Sequence, residues 1–487
     1  MTEAVSRLPW GVILILLPLS AAVAGFLLPR AGRVLGILTM SGCVLAAGGL
    51  GWQVSAIGVV RHTIGGWGAP LGIMLHADGF SLMMLATTAV VGFFVSQHAA
   101  TYFSHAKARW FWPIWMLLLA GLNGLFLSSD IFNLYVTLEL VGLAAVMLVA
   151  LAGDKAALGG AMRYLLASLL SSNVYLLGVA LLYHQFGSLD IQQLAAQAEA
   201  SPALWGALAA MSVSMVFKTA LFPLHFWLPP AHGSAPAPVS ALLSGLVVKS
   251  SLYVLARLWL DIFSPWVGAN VSNILCGLGM IAVIWGSVQA LRQTRLKLLI
   301  AYSTVAQLGY LFLAFPFSGE AAVVAWGAVV YLLVCHALAK SALFLAAGNI
   351  QYFSGHDRLI DSDHVVRHLP ITTYGFAIAG VTIMGLPPSG GFLAKWMLMQ
   401  TALAEGRLDI VLVLLIGGLL AAAYVFKFLG HAFTTAPRHR RKLNRVPRAM
   451  EWPVLMLAIG SISLGFIAVP LLALTKIGEP FGSGVLP

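Results

Sequence analysis

Apolar residues run along this chain in long stretches, divided by short gaps that carry Arg, Lys, Asp, Gly and Pro. About 20 apolar residues in a helix cross the hydrocarbon of a bilayer. Runs of that kind lie at 10–28, 34–60, 77–97, 110–129, 131–152, 161–184, 203–223, 237–260, 267–290, 296–316, 320–348, 370–404, 408–433 and 451–474. The pattern predicts an all-α polytopic membrane protein of about fourteen transmembrane helices. Arg7 ahead of the first run suggests a secretory leader. The run from Trp10 to Leu28 is too long for one and has no small-residue cleavage site before Pro29-Arg30, so it is expected to be the first span.

Composition removes several classes of function. Of 487 residues 60% are hydrophobic and 9% charged, with a mean hydropathy of +0.93. A soluble domain carries roughly 25% charged residues, so a soluble enzyme with one core is excluded. A net charge of +11 would point to nucleic acid if the cations formed a surface stripe, but most sit in the gaps between apolar runs, and no nucleic-acid partner is expected. Cys43, Cys276 and Cys335 fall inside apolar runs without pairing or ligand spacing, which leaves no disulfide, zinc or iron–sulfur framework. No phosphate-cradling glycine motif follows a strand, so no cofactor is expected. His356, Asp357, Asp361, Asp363, His364 and His368 share one gap, but their spacing matches no metal motif; a solvated loop, open to a partner, is expected. The basic stretch 438–448 is expected to touch anionic lipid.

The cations also set the orientation. Arg30, Arg33, Lys107, Arg109, Lys155, Arg163, Arg292, Arg295, Lys297, Arg358, Arg367, Arg438, Arg440, Arg441, Lys442, Arg445 and Arg448 fall in gaps on one side, 17 in all, against Arg7, Arg61, Arg257, Arg407 and Lys476 on the other. The positive-inside rule places the first side in the cytoplasm and both termini outside.

Five lysines remain inside predicted helices: Lys218, Lys249, Lys340, Lys395 and Lys427. A central lysine costs about 2.5–3.5 kcal/mol even on lenient insertion scales, and such residues face a bundle interior or a hydrated cavity. Lys427, close to His431 and the basic stretch, has the alternative of snorkelling to the interface. Two proline-rich breaks lie beside Lys218 and Lys395: one with Pro223, Pro229 and Pro230, the other with Pro387 and Pro388. Backbone freed by proline at membrane depth needs protein or water around it. The breaks are some 160–165 residues apart, and an odd unit of five helices repeated in tandem must be inverted in the membrane. The expected organisation is therefore 1–109 for helices 1–3, 110–262 and 263–436 for two inverted repeats (helices 4–8 and 9–13), and 437–487 for the basic loop and last helix. Glu139 lies near mid-depth, where a lysine nearby would let it ionise and make the pair a charge switch. His336 precedes Lys340 by four residues on one helical face and can bridge lysines that exchange protons slowly.

These residues resemble a known family. Glu139, Lys218, the run from Leu221 to Ser240, Lys249, the stretch Ala301 to Tyr310, His336 to Phe344 and Gly385 to Lys395 are similar to the antiporter-like subunits of respiratory complex I, membrane-bound hydrogenases and Mrp-type cation/proton antiporters. The resemblance covers nearly the whole chain. It implies that Glu139 and Lys218 form the paired switch, Lys249 and His336 the central relay with Lys340, and Lys395 the terminal proton site. The segment Gly65 to Ile73 and a lysine at 395 look most like the D-type chain of Mrp antiporters, while Thr137-Leu138 stands where aromatic residues often precede the glutamate. It further implies a multi-pass protein of the cell membrane that carries protons, exchanged for Na⁺, within a multisubunit complex. The alternatives are a proton-pumping subunit of a redox complex and one of an inorganic-carbon-accumulating complex.

Overall fold

The computed structural model of the chain describes residues 8–68, 72–363, 365–434 and 444–478. Arg7, His364, Arg438, Arg440, Arg441, Lys442, the tip 69–71 of the glycine-rich segment and the C-terminal residues 479–487 lie outside it. Each expected apolar run holds a helix. The helices of these runs, with α8 between two of them, are α1 (Trp10–Leu27), α2 (Gly32–Ile57), α3 (Gly79–Tyr102), α4 (His105–Leu127), α5 (Ile131–Ala150), α6 (Lys155–Phe186), α7 (Pro202–Lys218), α8 (Leu228–Ser234), α9 (Ala237–Trp266), α10 (Ala269–Arg292), α11 (Leu296–Tyr310), α12 (Gly319–Ser354), α13 (Pro370–Met384), α14 (Gly390–Ala404), α15 (Leu408–Phe433), α16 (Arg448–Phe466) and α17 (Ala468–Leu474). Among the described residues eleven of these are long and apolar enough to cross a membrane by length and composition.

The polar residues of the gaps start and stop the helices. Asp78 and Ser81 form a reciprocal capping box at α3, Asp130 caps α5 by accepting from Asn133 N, and Asp154 caps α6 by accepting from Ala157 N. These carboxylates satisfy amide groups that the first turn leaves without partners. Gly187 and Gly355, at φ +65° and +79°, close α6 and α12 in the left-handed conformation that glycine adopts without strain. Between α10 and α11 the backbones nearly touch: a Cβ on Gly309 would stand 2.4 Å from the Gly279 carbonyl oxygen. Small residues at such crossings allow the close packing that associates helices in lipid.

Four features depart from the sequence reading. The run 203–223 stops as a helix at Lys218, and 219–227 is irregular before α8. The stretch 61–76, expected as connection, belongs to an antiparallel hairpin of β1 (Val60–Thr63) and β2 (Met74–Ala77), too short to register as alternating pattern. The last run, 451–474, divides at Ile467 into α16 and α17. Arg257 and Lys297, counted as loop cations, are buried on α9 and α11 at 6% and 2% exposure.

Candidate functional site

The sites form where helices are interrupted. After Lys218 the chain leaves the helix, passes Pro223, and resumes at α8 with Pro229 and Pro230 in its first turn, where proline's missing N–H is tolerated. The second break lies between α13 and α14 and holds Pro387 and Pro388, and Ser389 caps α14 by accepting from Phe392 N. Lys218 thus lies before its break and Lys395 after its own. A third irregularity was not expected: residues Leu243–Val247 of α9 are a π-helical turn. Such turns shift backbone hydrogen bonds and recur at functional sites.

Glu139 and Lys218 come close without forming an ion pair within 4.0 Å among the described residues. Ser168 of α6 stands with them: Lys218 Nζ donates to Ser168 Oγ at 3.0 Å. A Cβ on Gly142 would stand 2.6 Å from that hydroxyl and 4.0 Å from Glu139 Oε2, so the glycine opens the space both occupy. Glu139 Oε2 is buried and without a hydrogen-bond partner. A cavity of about 20 Å³ touches Lys218, Ser168, Tyr164, Ser250 and Ser251. That is room for about one water.

The other lysines are held by neutral dipoles. Lys249, fully buried, donates to the Ser244 carbonyl inside the π-turn. Lys340 donates to Ile300 O at 3.0 Å and to the Ser303 hydroxyl. Lys395 donates to Ile383 O at 2.9 Å and lies 4.3 Å from the centre of the Tyr310 ring. His336 is 1% exposed, within electrostatic reach of Lys249, Lys340 and Lys395, and neither of its ring nitrogens has a hydrogen-bond partner. A buried imidazole left this way calls for water.

One face of α11 joins the three lysines. Ser244 Oγ and Thr304 Oγ1 are 3.0 Å apart, and Thr304 Oγ1 donates to Ile300 O, the carbonyl that also receives Lys340. Beyond Ser303, the Tyr424 hydroxyl lies beside both Ser303 and Gln307, and Gln307 Nε2 donates to Ile383 O, which also receives Lys395. Positions 300, 303, 304, 307 and 310 follow helical spacing, so one stripe of α11 carries polar groups across the bundle. The stretch belongs to the family resemblance, but its role is not legible in sequence, because hydroxyls and an amide raise no alarm in an apolar run.

Two further residues escape sequence reasoning. Lys297 donates to the Ala235 carbonyl, and His232 of α8 stacks on Phe344 with ring centres 4.8 Å apart, within electrostatic reach of Lys297, Lys249 and Lys340. Lys297 lines a cavity of about 990 Å³ among helix ends on the basic side, with Lys107, Lys155, Arg163, Arg295 and Asp154, and His232 directly precedes Gly233 of that lining. The adjacency of Lys297 to Arg292 and Arg295 hides it among topology signals. Lys427 does not simply snorkel: its ammonium donates to Leu291 O and Gln293 O, both at 2.7 Å, and closes the end of α10. In the gap before α13, Asp357 pairs with Arg295 at 2.9 Å and His356 lies 3.6 Å from Asp361.

Comparison with known proteins identifies the family and the fold. Residues 128–421 match the family described as NADH:quinone oxidoreductase/Mrp antiporter, transmembrane. The NADH-quinone oxidoreductase subunit N of Desulforudis audaxviator is 33% identical, over 93% of this chain and 95% of that protein. The D subunit of the Na⁺/H⁺ antiporter of Alkalihalophilus pseudofirmus is 31% identical, over 90% of this chain and 89% of that protein. A chain in the structure of the Mrp complex from Dietzia sp. superposes with a TM-score of 0.88 at 24% identity, covering 97% of this chain and 98% of that one.

Proposed function

The chain belongs to the NADH:quinone oxidoreductase/Mrp antiporter family, and on that premise we propose that it is the proton-translocating subunit of a multisubunit Na⁺/H⁺ antiporter. The observation that carries this reading is the polar stripe of α11, which links Lys249, Lys340 and Lys395 through hydroxyls, an amide and shared carbonyls. A proton taken up through the basic-side cavity passes Lys297 and His232 to Lys249, crosses to Lys340 with His336 as the fast exchanger, and leaves at Lys395. Glu139 and Lys218 control the transfer: Lys218 leaves Ser168 for the carboxylate or returns, and the field at Lys249 changes with it. At an effective dielectric near 20, bringing two opposite charges to 4 Å is worth about 4 kcal/mol, ample for a gate. A second reading, a proton-pumping subunit of a redox-driven complex, is favoured by the 33% identity to an oxidoreductase subunit N. The same relay serves both.

Two coarser features support the details. The multi-pass character is supported by the eleven helices that, among the described residues, are long and apolar enough to cross a membrane, and the excess of cations on one side supports a cytoplasmic vestibule with both termini outside. The interrupted helices α7/α8 and α13/α14, one in each of the units 110–262 and 263–436, support two inverted repeats flanked by 1–109 and 437–487.

The test is proton and Na⁺ flux in vesicles that hold the complete complex, with complex abundance checked for each variant. Glu139→Ala, Lys218→Ala, Lys249→Ala and Lys395→Ala are expected to assemble and to lose most transport, and Thr304→Val to slow it by cutting the stripe. Wild-type flux in assembled Glu139→Ala and Lys218→Ala complexes would refute the switch.

A further inference from the structure

A second set of charged groups lies at the opposite ends of the same helices. Arg257, inside α9, sets Nη2 2.5 Å from Asp78 Oδ1, and its Nε donates to the Tyr253 hydroxyl at 3.1 Å. The guanidinium lies 5.3 Å from the centre of the Phe80 ring and 5.2 Å from that of Tyr253. The Phe126 ring packs edge-on against Tyr253, whose hydroxyl donates to Phe126 O at 2.8 Å. Burial alone would raise the Asp78 carboxyl, but Arg257, with His76 at 3.6 Å, holds it well below the usual carboxylate range. A buried arginine on a membrane helix is expensive, and such residues mark ion pathways.

Two observations go beyond a lock between α3 and α9. Lys249, Tyr253, Arg257 and Asp261 follow one another at four-residue intervals, so they share one face of α9 from the relay lysine to the helix end. A second π-turn, Trp259–Phe263, carries Asp261 there. Where the stripe ends, a cavity of about 490 Å³ is lined by Arg257, Asp261, His76, Ser128 and Ser129 among others. The basic-side cavity reaches Tyr102 at the end of α3, whereas this one reaches His76 just before its start, so the two open at opposite ends of that helix.

We propose that this cavity is a second proton port, joined to Lys249 along the α9 stripe and closed by the Asp78–Arg257 ion pair. The proposal rests on the lysine relay described above. The Lys249 ammonium gives up a proton to water admitted along the stripe, leaving the neutral amine, and cavity water takes the proton when Arg257 turns away from Asp78. In the present conformation the rings of Phe80, Tyr253 and Phe126 and the intact pair keep the port shut.

The experiment uses the complete complex in proteoliposomes. Asp78→Asn keeps an oxygen to accept from Ser81 N, so the cap of α3 persists while the charge is lost. Passive proton conductance should then rise by roughly tenfold or more, because removing one partner of a buried pair shifts a closed state at least that far. Adding Lys249→Ala to Asp78→Asn should abolish the leak. Independently, Leu260→Cys, at the cavity wall, should react with a membrane-impermeant maleimide applied from the face opposite the basic vestibule. A leak that survives Lys249→Ala, or a Leu260→Cys thiol that reacts from neither face, overturns the port. If Asp78→Asn assembles without a leak while Lys249→Ala alone stops exchange, the relay stands and the port falls. Wild-type exchange by Lys249→Ala removes the relay itself. Should Asp78→Asn fail to assemble, the labelling result decides.

Discussion

Gly142→Ala tests the gate without touching a charge. The added methyl would stand 2.6 Å from Ser168 Oγ and 4.0 Å from Glu139 Oε2, so the serine hydroxyl, the free end of a short side chain, has to turn away. Turning it removes the 3.0 Å hydrogen bond that holds Lys218. A hydrogen bond to a charged group is worth about 1.5–3 kcal/mol. At about 1.36 kcal/mol per tenfold, the Ser168-bound position of Lys218 loses about 10- to 150-fold in population. Alanine is the better helix former by about 1 kcal/mol, so the fold of α5 is not weakened. Transport that depends on Lys218 moving between two positions should fall by at least an order of magnitude at unchanged complex abundance. Ser168→Ala should give the same loss, and Gly430→Ala, where a Cβ meets nothing within 4 Å, should give none. The assay is Na⁺-driven proton flux in vesicles with the whole complex. Wild-type flux in both Gly142→Ala and Ser168→Ala would show that the Lys218–Ser168 contact is no part of the gate.

Lys427→Ala should act on stability: it strips two bonds from the end of α10, lowering the thermal midpoint by an amount equivalent to about 1–2 kcal/mol, with transport per assembled complex kept and Lys427→Arg restoring the midpoint. Reporters fused after Pro487 should behave as extracytoplasmic and those within 438–448 as cytoplasmic; the opposite sense at both positions would refute the orientation. Because the Asp78 carboxyl is held below its ordinary value near 4, its pairing with Arg257 stabilises the fold above that value and is lost only as pH falls further. Labelling of Leu260→Cys, taken at each pH relative to a fully exposed cysteine so that thiolate ionisation cancels, should therefore be flat between about pH 6 and 9, and a steep change in that ratio would show another group controlling access.

The helices are legible in the sequence because membrane spans advertise themselves by length and apolarity, and Lys249, Lys340 and Lys395 stand out because ammonium groups are costly there. The proline breaks are equally plain, since proline acts on the backbone wherever it stands. What escapes is anything encoded by neutral dipoles or by a choice between gap and helix. Thr304, Ser303 and Gln307 pass for ordinary helix residues until three lysines are seen around them. Arg257 lies near the end of the expected run 237–260 and reads as a loop cation, and the extension of α9 to Trp266 carries it inside the helix. The π-turns leave no compositional mark at all. Glu139 and Lys218 read as a direct pair, but a third partner, Ser168, arrives from α6, and sequence spacing cannot report which helix fills the space between two others.

Lys249, Lys340 and Lys395 all direct their protons at backbone carbonyls, Ser244 O, Ile300 O and Ile383 O. A carbonyl accepts a hydrogen bond but has no proton of its own to hand onward. Only Lys340 also touches a hydroxyl, that of Ser303; at Lys249 and Lys395 the stripe as it stands is an open circuit, because the named contact ends on a carbonyl. Current flows only when an ammonium swings off its carbonyl toward a hydroxyl or water, and the circuit opens again when it swings back. On the proposed relay, such wiring would hold the gradient while the subunit is idle, since a proton advances only when an ammonium leaves its carbonyl.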